Sequence, residues 1–279
     1  MASALRACVL LFLCGLASTS GLSSRADEDP DPEEKAWAVL HSGLVDARVS
    51  RRVPAIEALS LMSDDQRAIN FALRALQDRN EHARVAAAVS LGQLHAEQAV
   101  PQLKHALADR EISVVLAAAH SLFLLKDPSA FAIYYAILMG DKKSSDGLIE
   151  GQLRRFKDPK QVAQLGFQQG LGFVPYGGMG YEAVRELRKR STSPVRAAAA
   201  GWLAMDHDSI AEDALIQTAL VDKSPLVRVA SLDALAERGD PASIERLERN
   251  LAERNPAVRY RTAALILRLS HATRARSRE

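Results

Sequence analysis

Between residues 49 and 271 two kinds of apolar pattern alternate along the chain. In segments such as 84–91, Val85, Ala88, Val89 and Leu91 fall on a helical period. These segments end near polar turns, among them Lys126-Asp127-Pro128 and Arg238-Gly239-Asp240-Pro241. In the segments that follow, such as Val100-Pro-Gln-Leu-Lys-His-Ala-Leu107 and Ile244-Glu-Arg-Leu-Glu-Arg-Asn-Leu251, apolar residues stand three or four apart. The positions between them are mostly polar or charged, which predicts a second helix with one buried face and one wet face.

The alternation is a repeat. Arg52-Val-Pro-Ala-Ile-Glu-Ala-Leu59, Arg84-Val-Ala-Ala-Ala-Val-Ser-Leu91, Arg196-Ala-Ala-Ala-Ala-Gly-Trp-Leu203, Arg228-Val-Ala-Ser-Leu-Asp-Ala-Leu235 and Arg259-Tyr-Arg-Thr-Ala-Ala-Leu-Ile266 lie over one another. Val115-Leu-Ala-Ala-Ala-His-Ser-Leu122 matches with valine in place of the arginine. First positions are spaced 32, 31, 81, 32 and 31 residues apart, so a short period is interrupted by one long gap. A unit of this size holds two helices and two turns. In the last three units Ser193-Pro194, Ser224-Pro225 and Asn255-Pro256 predict helix starts, a capping side chain followed by a proline tolerated in the first turn.

An Ala-rich helix after Pro-Val-Arg, a polar turn and a Leu-spaced second helix resemble the HEAT repeat, in the short bacterial form also seen in phycobilin-lyase-like proteins. The resemblance covers about residues 49–271. It implies an all-α fold, a right-handed α-solenoid of six to seven helix pairs. That family consists mostly of scaffolds and partner-binding surfaces, with the second helices lining the inner, concave face. The deoxyhypusine hydroxylases, metalloenzymes built on HEAT repeats, use His-Glu dipeptides in successive repeats. This chain contains only Glu81-His82, in the reverse order.

The long gap predicts helices near 129–139, 145–156, 158–169 and 181–191, within an irregular insertion at about 140–192. Between the last two lies the Gly-rich loop 170–180, whose five glycines and one proline cannot continue a helix. Phe173, Tyr176 and Met179, with the adjacent Tyr181, either present a recognition surface or tuck back onto neighbouring helices, and packing is the favoured reading. A small-molecule pocket near this loop is the alternative function that the lyase resemblance suggests. A phosphate site is not supported: no Gly-Lys-Ser/Thr follows the glycines, no strand precedes them, and Glu182 occupies the first turn of the next helix.

Composition agrees with an all-α chain: 48% of the 279 residues are hydrophobic and 5% aromatic. At the amino terminus, Arg6, an apolar run over 7–17 and the small residues at 18–21 form the pattern of a secretory signal over 1–26. The run is too short to span a bilayer. An acidic leader is expected over 27–35 and a basic disordered tail over 272–279, both outside the folded body at 36–271. The product is expected to be periplasmic or extracellular. Both cysteines, Cys8 and Cys14, lie inside the signal, so the exported chain has no thiol for a disulfide, a metal or a nucleophile. A lipid anchor at Cys14 is the weaker expectation, because Leu13 is larger than acylation sites favour.

Loss of Arg6 and Arg25 leaves 34 basic against 34 acidic residues. That balance argues against nucleic acid, whose binders need a positive excess, and hence against a HEAT-like DNA glycosylase. His41, His82, His95, His105, His120, His207 and His271 show no metal-binding spacing, and His120 is expected to be a hydrogen-bonded core residue. Asp206, His207 and Asp208 read as the approach to a capping box, Ser209-x-x-Glu212. No elbow motif nominates a catalytic serine. The expectation is an exported scaffold with no catalytic residues, no cofactor and no metal, binding a protein or peptide. Arg74, Lys104, His105, Glu212, Glu245, Arg246 and Arg249, on second helices, would select the partner by charge.

Overall fold

The computed structural model describes residues 31–63, 65–131, 133 and 192–276, and among them the regular structure is helical with no strand. The helices are α1 (Pro32–Leu44), α2 (Val49–Ala58), α3 (Gln66–Ala75), α4 (Glu81–Gln93), α5 (Val100–Ala106), α6 (Ile112–Leu124), α7 (Ser193–Leu203), α8 (Ser209–Val221), α9 (Pro225–Arg238), α10 (Ser243–Leu247) and α11 (Pro256–Arg276). Short 3-10 turns at Leu59–Leu61 and Glu248–Ala252 continue α2 and α10, and a third at Glu97–Ala99 leads into α5.

The fold is an all-α solenoid of two helical layers. In the first layer α2 packs on α4 and α4 on α6, while α7 packs on α9 and α9 on α11. Each second-layer helix lies against the first-layer helix that follows it: α3 on α4, α5 on α6, α8 on α9, and α10 with its 3-10 turn on α11. The two series then join through the ends of the chain. α11 packs against α2, and α1 lies along both of them. The first-layer order is therefore α7, α9, α11, α2, α4, α6, and the pair at its centre is composite: α11 supplies its first helix and α1 its second.

Buried residues from both ends share one apolar core, with Ala36 and Leu40 of α1 beside Ala264, Leu265 and Leu269 of α11. Tyr260 is 1% exposed. Its ring needs a glycine on α1, because a Cβ at Gly43 would lie 2.5 Å from Tyr260 Cζ and 2.8 Å from Ala55 Cβ.

The arginines that mark the repeats tie one repeat to the next. Arg52 holds Asp78 in a fork (2.6 and 3.0 Å), as Arg84 holds Asp109 (2.8 and 2.9 Å) and Arg196 holds Asp222 (both 2.8 Å). Arg228 does the same with Glu253 at 2.8 Å and Asn250 at 3.2 Å. Each acid also accepts a backbone N–H two residues on, from Asn80, Glu111, Ser224 and Asn255 respectively, so one carboxylate fixes both the loop and the start of the next helix. Burial pushes Asp78, Asp109 and Asp222 up, but the arginine forks and backbone donors outweigh it and hold them below the usual carboxylate range.

The composite pair departs from that rule. Arg259 bonds Tyr260 Oη at 3.0 Å, and Asp46, which stands where Asp78 stands one repeat later, takes the N–H of Arg48 (2.8 Å) and pairs with Arg51 (3.3 Å). Arg261 holds the joint instead. It donates to the Glu57 carbonyl (3.0 Å) and Ser60 Oγ (2.9 Å) on one side and pairs with Asp233 on the other. Arg268 caps the Leu61 carbonyl (3.0 Å) and Ser63 Oγ (2.8 Å), so orphan carbonyls at the end of α2 find donors on the last helix. Burial pushes Glu57 up to about 7 and raises Asp233 and Glu237 as well.

Several boundaries differ from expectation. Residues 32–35, expected in the leader, are the first turn of α1. Asp31 caps the Glu33 N–H, Pro32 sits where a missing N–H costs nothing, and Glu33 and Glu34 face the positive end of the helix dipole. From Asp31 on, the charge and proline that suggested a leader are a helix start, and residues 27–30 lie outside the described residues. Residues 272–276, expected in the tail, continue α11, and Arg274 bonds Glu33 at 3.1 Å. The cap of α8 is Asp208, accepting from Ile210 N–H at 3.0 Å, whereas Ser209 is the first helical residue. Of the three predicted proline starts, Asn255 caps Val258 N–H (3.2 Å), Ser224 is an N-cap whose side chain makes no capping bond, and Ser193 is already helical. His120 is half-buried and stacks on Phe123, and its ring makes no hydrogen bond among the described residues. The signal over 1–26, Cys14, and almost all of the four gap helices lie outside the described residues.

Candidate functional site: the second-helix face

Along α1, Trp37 and His41 are one turn apart and share a face; along α3, Arg67, Phe71 and Arg74 do the same. Because α1 fills the second-layer place next to α3, these faces meet. Phe71 packs edge-on against Trp37 (5.8 Å between ring centres) and against His41 (5.6 Å), and the Trp37 and His41 rings lie 6.1 Å apart. The Arg67 guanidinium lies over Trp37 at 4.4 Å and that of Arg74 over Phe71 at 4.2 Å. The rings are not sealed in the core: Trp37 and Phe71 are partly exposed, and His41 and Arg74 are exposed.

The cluster is wired to the last helix. Arg67 pairs with Asp65 at 2.8 Å and reaches His271 Nε2 on α11 at 3.1 Å, and that ring lies 3.8 Å from both Asp65 and Glu33. On its other flank α1 meets the 3-10 turn after α10, where Lys35 stands 3.6 Å from Glu248. Beyond α3 a cavity of about 510 Å³ opens between α3 and α5. Leu73, Leu76, Gln77, Gln102 and His105 line it, together with the Arg84–Asp109 ion pair. α10, α1, α3 and α5 thus form one polar and aromatic face.

This face gathers the charged residues expected to select a partner, and it sorts them. Lys104 is neutralised by Asp127 (2.9 Å) and Arg246 by Asp213 (2.6 Å). Arg74, His105 and Arg249 are exposed. Arg74 and Arg249 have no ion-pair partner among the described residues. Glu212 turns towards Arg238 at 3.8 Å, and burial raises its pKa; Glu245 is exposed. Phe173, Tyr176, Met179 and Tyr181 lie outside the described residues.

Trp37, His41, Arg67 and Phe71 are the residues that sequence reasoning missed. One signal was available in the Asp-Pro-Glu-Glu capping pattern at 31–34, followed by Trp37 and His41 four apart, which marks an amphipathic helix ahead of the first repeat.

The family model described as HEAT repeats matches residues 19–122 and 182–268, about two thirds of the chain. No curated protein matches. Among solved structures the chain is similar to the complex of CpcE and CpcF of phycocyanin lyase from Nostoc sp. PCC7120, at 20% identity and a TM-score of 0.33, over 90% of this chain and 99% of that one. It is also similar to human deoxyhypusine hydroxylase in complex with glycerol, at 16% identity and a TM-score of 0.29, over 86% and 97% of the two chains.

Proposed function

The chain belongs to the HEAT-repeat family, and from that premise we propose that it is an exported, non-catalytic scaffold that binds a protein or peptide partner on its second-helix face. One observation carries the reading: Trp37, His41 and Phe71 cluster at the surface of α1 and α3 with guanidinium groups stacked on two of the rings. Aromatic and arginine side chains held rigid yet open are the groups that dominate protein interfaces, since they bury much area for little lost freedom. The arginine forks that join successive repeats are made by other residues. Among the described residues no helix is long and apolar enough to cross a membrane.

The partner-binding reading is tested by photo-crosslinking. A crosslinking side chain at exposed Ser42 on α1 should trap a defined partner from a cell-envelope extract, and one at exposed Glu237 on the first layer should not. Crosslinks from Glu237 alone would sink it. Export is tested separately: the chain recovered from the envelope should begin between residues 20 and 27.

A further inference from the structure

The loop carboxylates provide an internal ruler for the second layer. Asp46, Asp78, Asp109, Asp222 and Glu253 each accept a backbone N–H two residues on, so they occupy one repeat position. Four residues before them stand Ser42, Arg74, His105, Thr218 and Arg249. In stack order the series runs Thr218, Arg249, Ser42, Arg74, His105, and its last four members are exposed. The two arginines of this series, neither with an ion-pair partner among the described residues, thus stand in register on either side of α1, and the Trp37–Phe71 pair lies on the stretch between them. The stripe is continuous only in space. In sequence Arg249 lies near one end and Ser42 near the other, and α1 brings them together.

We propose that this stripe takes an extended acidic peptide laid across the composite pair, with one carboxylate on Arg249, one on Arg74 and an apolar side chain over Trp37 and Phe71. The inference rests on the partner-binding reading and names the class of partner. Neighbouring helices pack about 8–10 Å apart, so residues in register two helices apart are separated by roughly 20 Å. An extended chain advances about 3.3 Å per residue, which sets the two acidic residues about six apart. Stacking on Phe71 holds the Arg74 guanidinium ready for a carboxylate. A phosphate polymer fits less well, because Glu34 and Glu245 are exposed on the same face and would repel a continuous line of charge, whereas a peptide can place its carboxylates only where the arginines are.

The test uses the full chain carrying Trp202→Phe, which removes an exposed tryptophan and leaves Trp37 as the sole indole reporter. The probes are four: a synthetic peptide with two glutamates six residues apart and a leucine midway, its lysine and glutamine counterparts, and oligothymidylate. The glutamate peptide should shift Trp37 fluorescence and bind at least tenfold more tightly than the glutamine peptide, with affinity falling as salt rises. The double reversal Arg74→Glu with Arg249→Glu should transfer that preference to the lysine peptide while helical content and melting temperature stay unchanged. Equal binding of the three peptides, tighter binding of oligothymidylate, or no peptide binding overturns the inference. If crosslinking at Ser42 still traps a partner in that case, only the acidic class falls; if it does not, the partner-binding reading falls with it.

Discussion

Two joints in this molecule perform the same task with different residues. Where one repeat follows another in sequence, as from α2 to α4 to α6, the joint is an arginine fork on a loop carboxylate, with buried serines satisfying carbonyls of the helix before. Ser90 donates to the Ile56 carbonyl at 2.9 Å and Ser121 to that of Ala88 at 2.7 Å. Where the chain's ends meet, that fork is missing. The joint is instead a tyrosine lodged over a glycine, two arginines capping the end of α2, and three carboxyls raised by burial. The difference is one of connectivity. An internal fork joins residues 25 or 26 apart, whereas the contacts between the ends span up to 241 residues. Closing so long a loop costs more chain entropy.

The sharpest way to break the comparison is to empty the joint between the ends. Tyr260→Ala should cost about 3–5 kcal/mol, the range for removing a buried aromatic ring, as read from urea unfolding of the whole chain. A loss below 1 kcal/mol would mean that α1 and α11 are not held together by packing. Next in size is the internal fork: Arg84→Ala should cost about 2–3 kcal/mol, because it strands Asp109 in a site where its side chain is 15% exposed.

Acidity separates the joints by sign. Glu57 titrates near 7 when folded and near its ordinary range when unfolded, so the stability its proton contributes is complete below that ordinary range and is lost as pH rises through 7. Asp233 and Glu237 shift in the same direction. Asp78, Asp109 and Asp222 run the other way, and their contribution is lost as pH falls through their lowered values. Wild type should therefore lose about 1–2 kcal/mol between pH 5.5 and pH 8, and Glu57→Gln should flatten most of that slope. A slope left intact by the substitution would remove Glu57 from the account. The smallest effect is expected at Arg196, whose fork on Asp222 matches that of Arg84 but whose side chain is 48% exposed. Arg196→Ala should cost less than about 1 kcal/mol, and a loss equal to that of Arg84→Ala would show that pattern, not burial, sets the strength of a fork.

The helix pairs were legible because their signals are local and repeated: an arginine, an Ala-rich run, a turn and leucines one helical turn apart. The charged candidates on the second helices were legible for the same reason. The composite pair was not. Its halves lie at opposite ends of the sequence, and each half alone resembles something plainer: the first turn of α1 an acidic leader, the last turn of α11 a basic tail. Arg274 and Glu33 explain both misreadings, since each supplies the other's counter-charge. The aromatic cluster was hidden by the same cause, because Trp37 meets Phe71 only after α1 has taken its place beside the last helix.

The composite pair also sets an order of events. α1 precedes the repeats, and although it packs on α2 as soon as that helix is made, the first-layer helix that completes its pair, α11, follows all of them. Synthesis and any passage across a membrane run from the amino terminus, so α1 and the repeats after it must wait, with the α11-facing side of α2 uncovered, until α11 has emerged. Contacts this distant in sequence form slowly. Docking of α11 is therefore the step that completes the joint, and without it α1 would keep α2 but lack the first-layer helix that completes its pair.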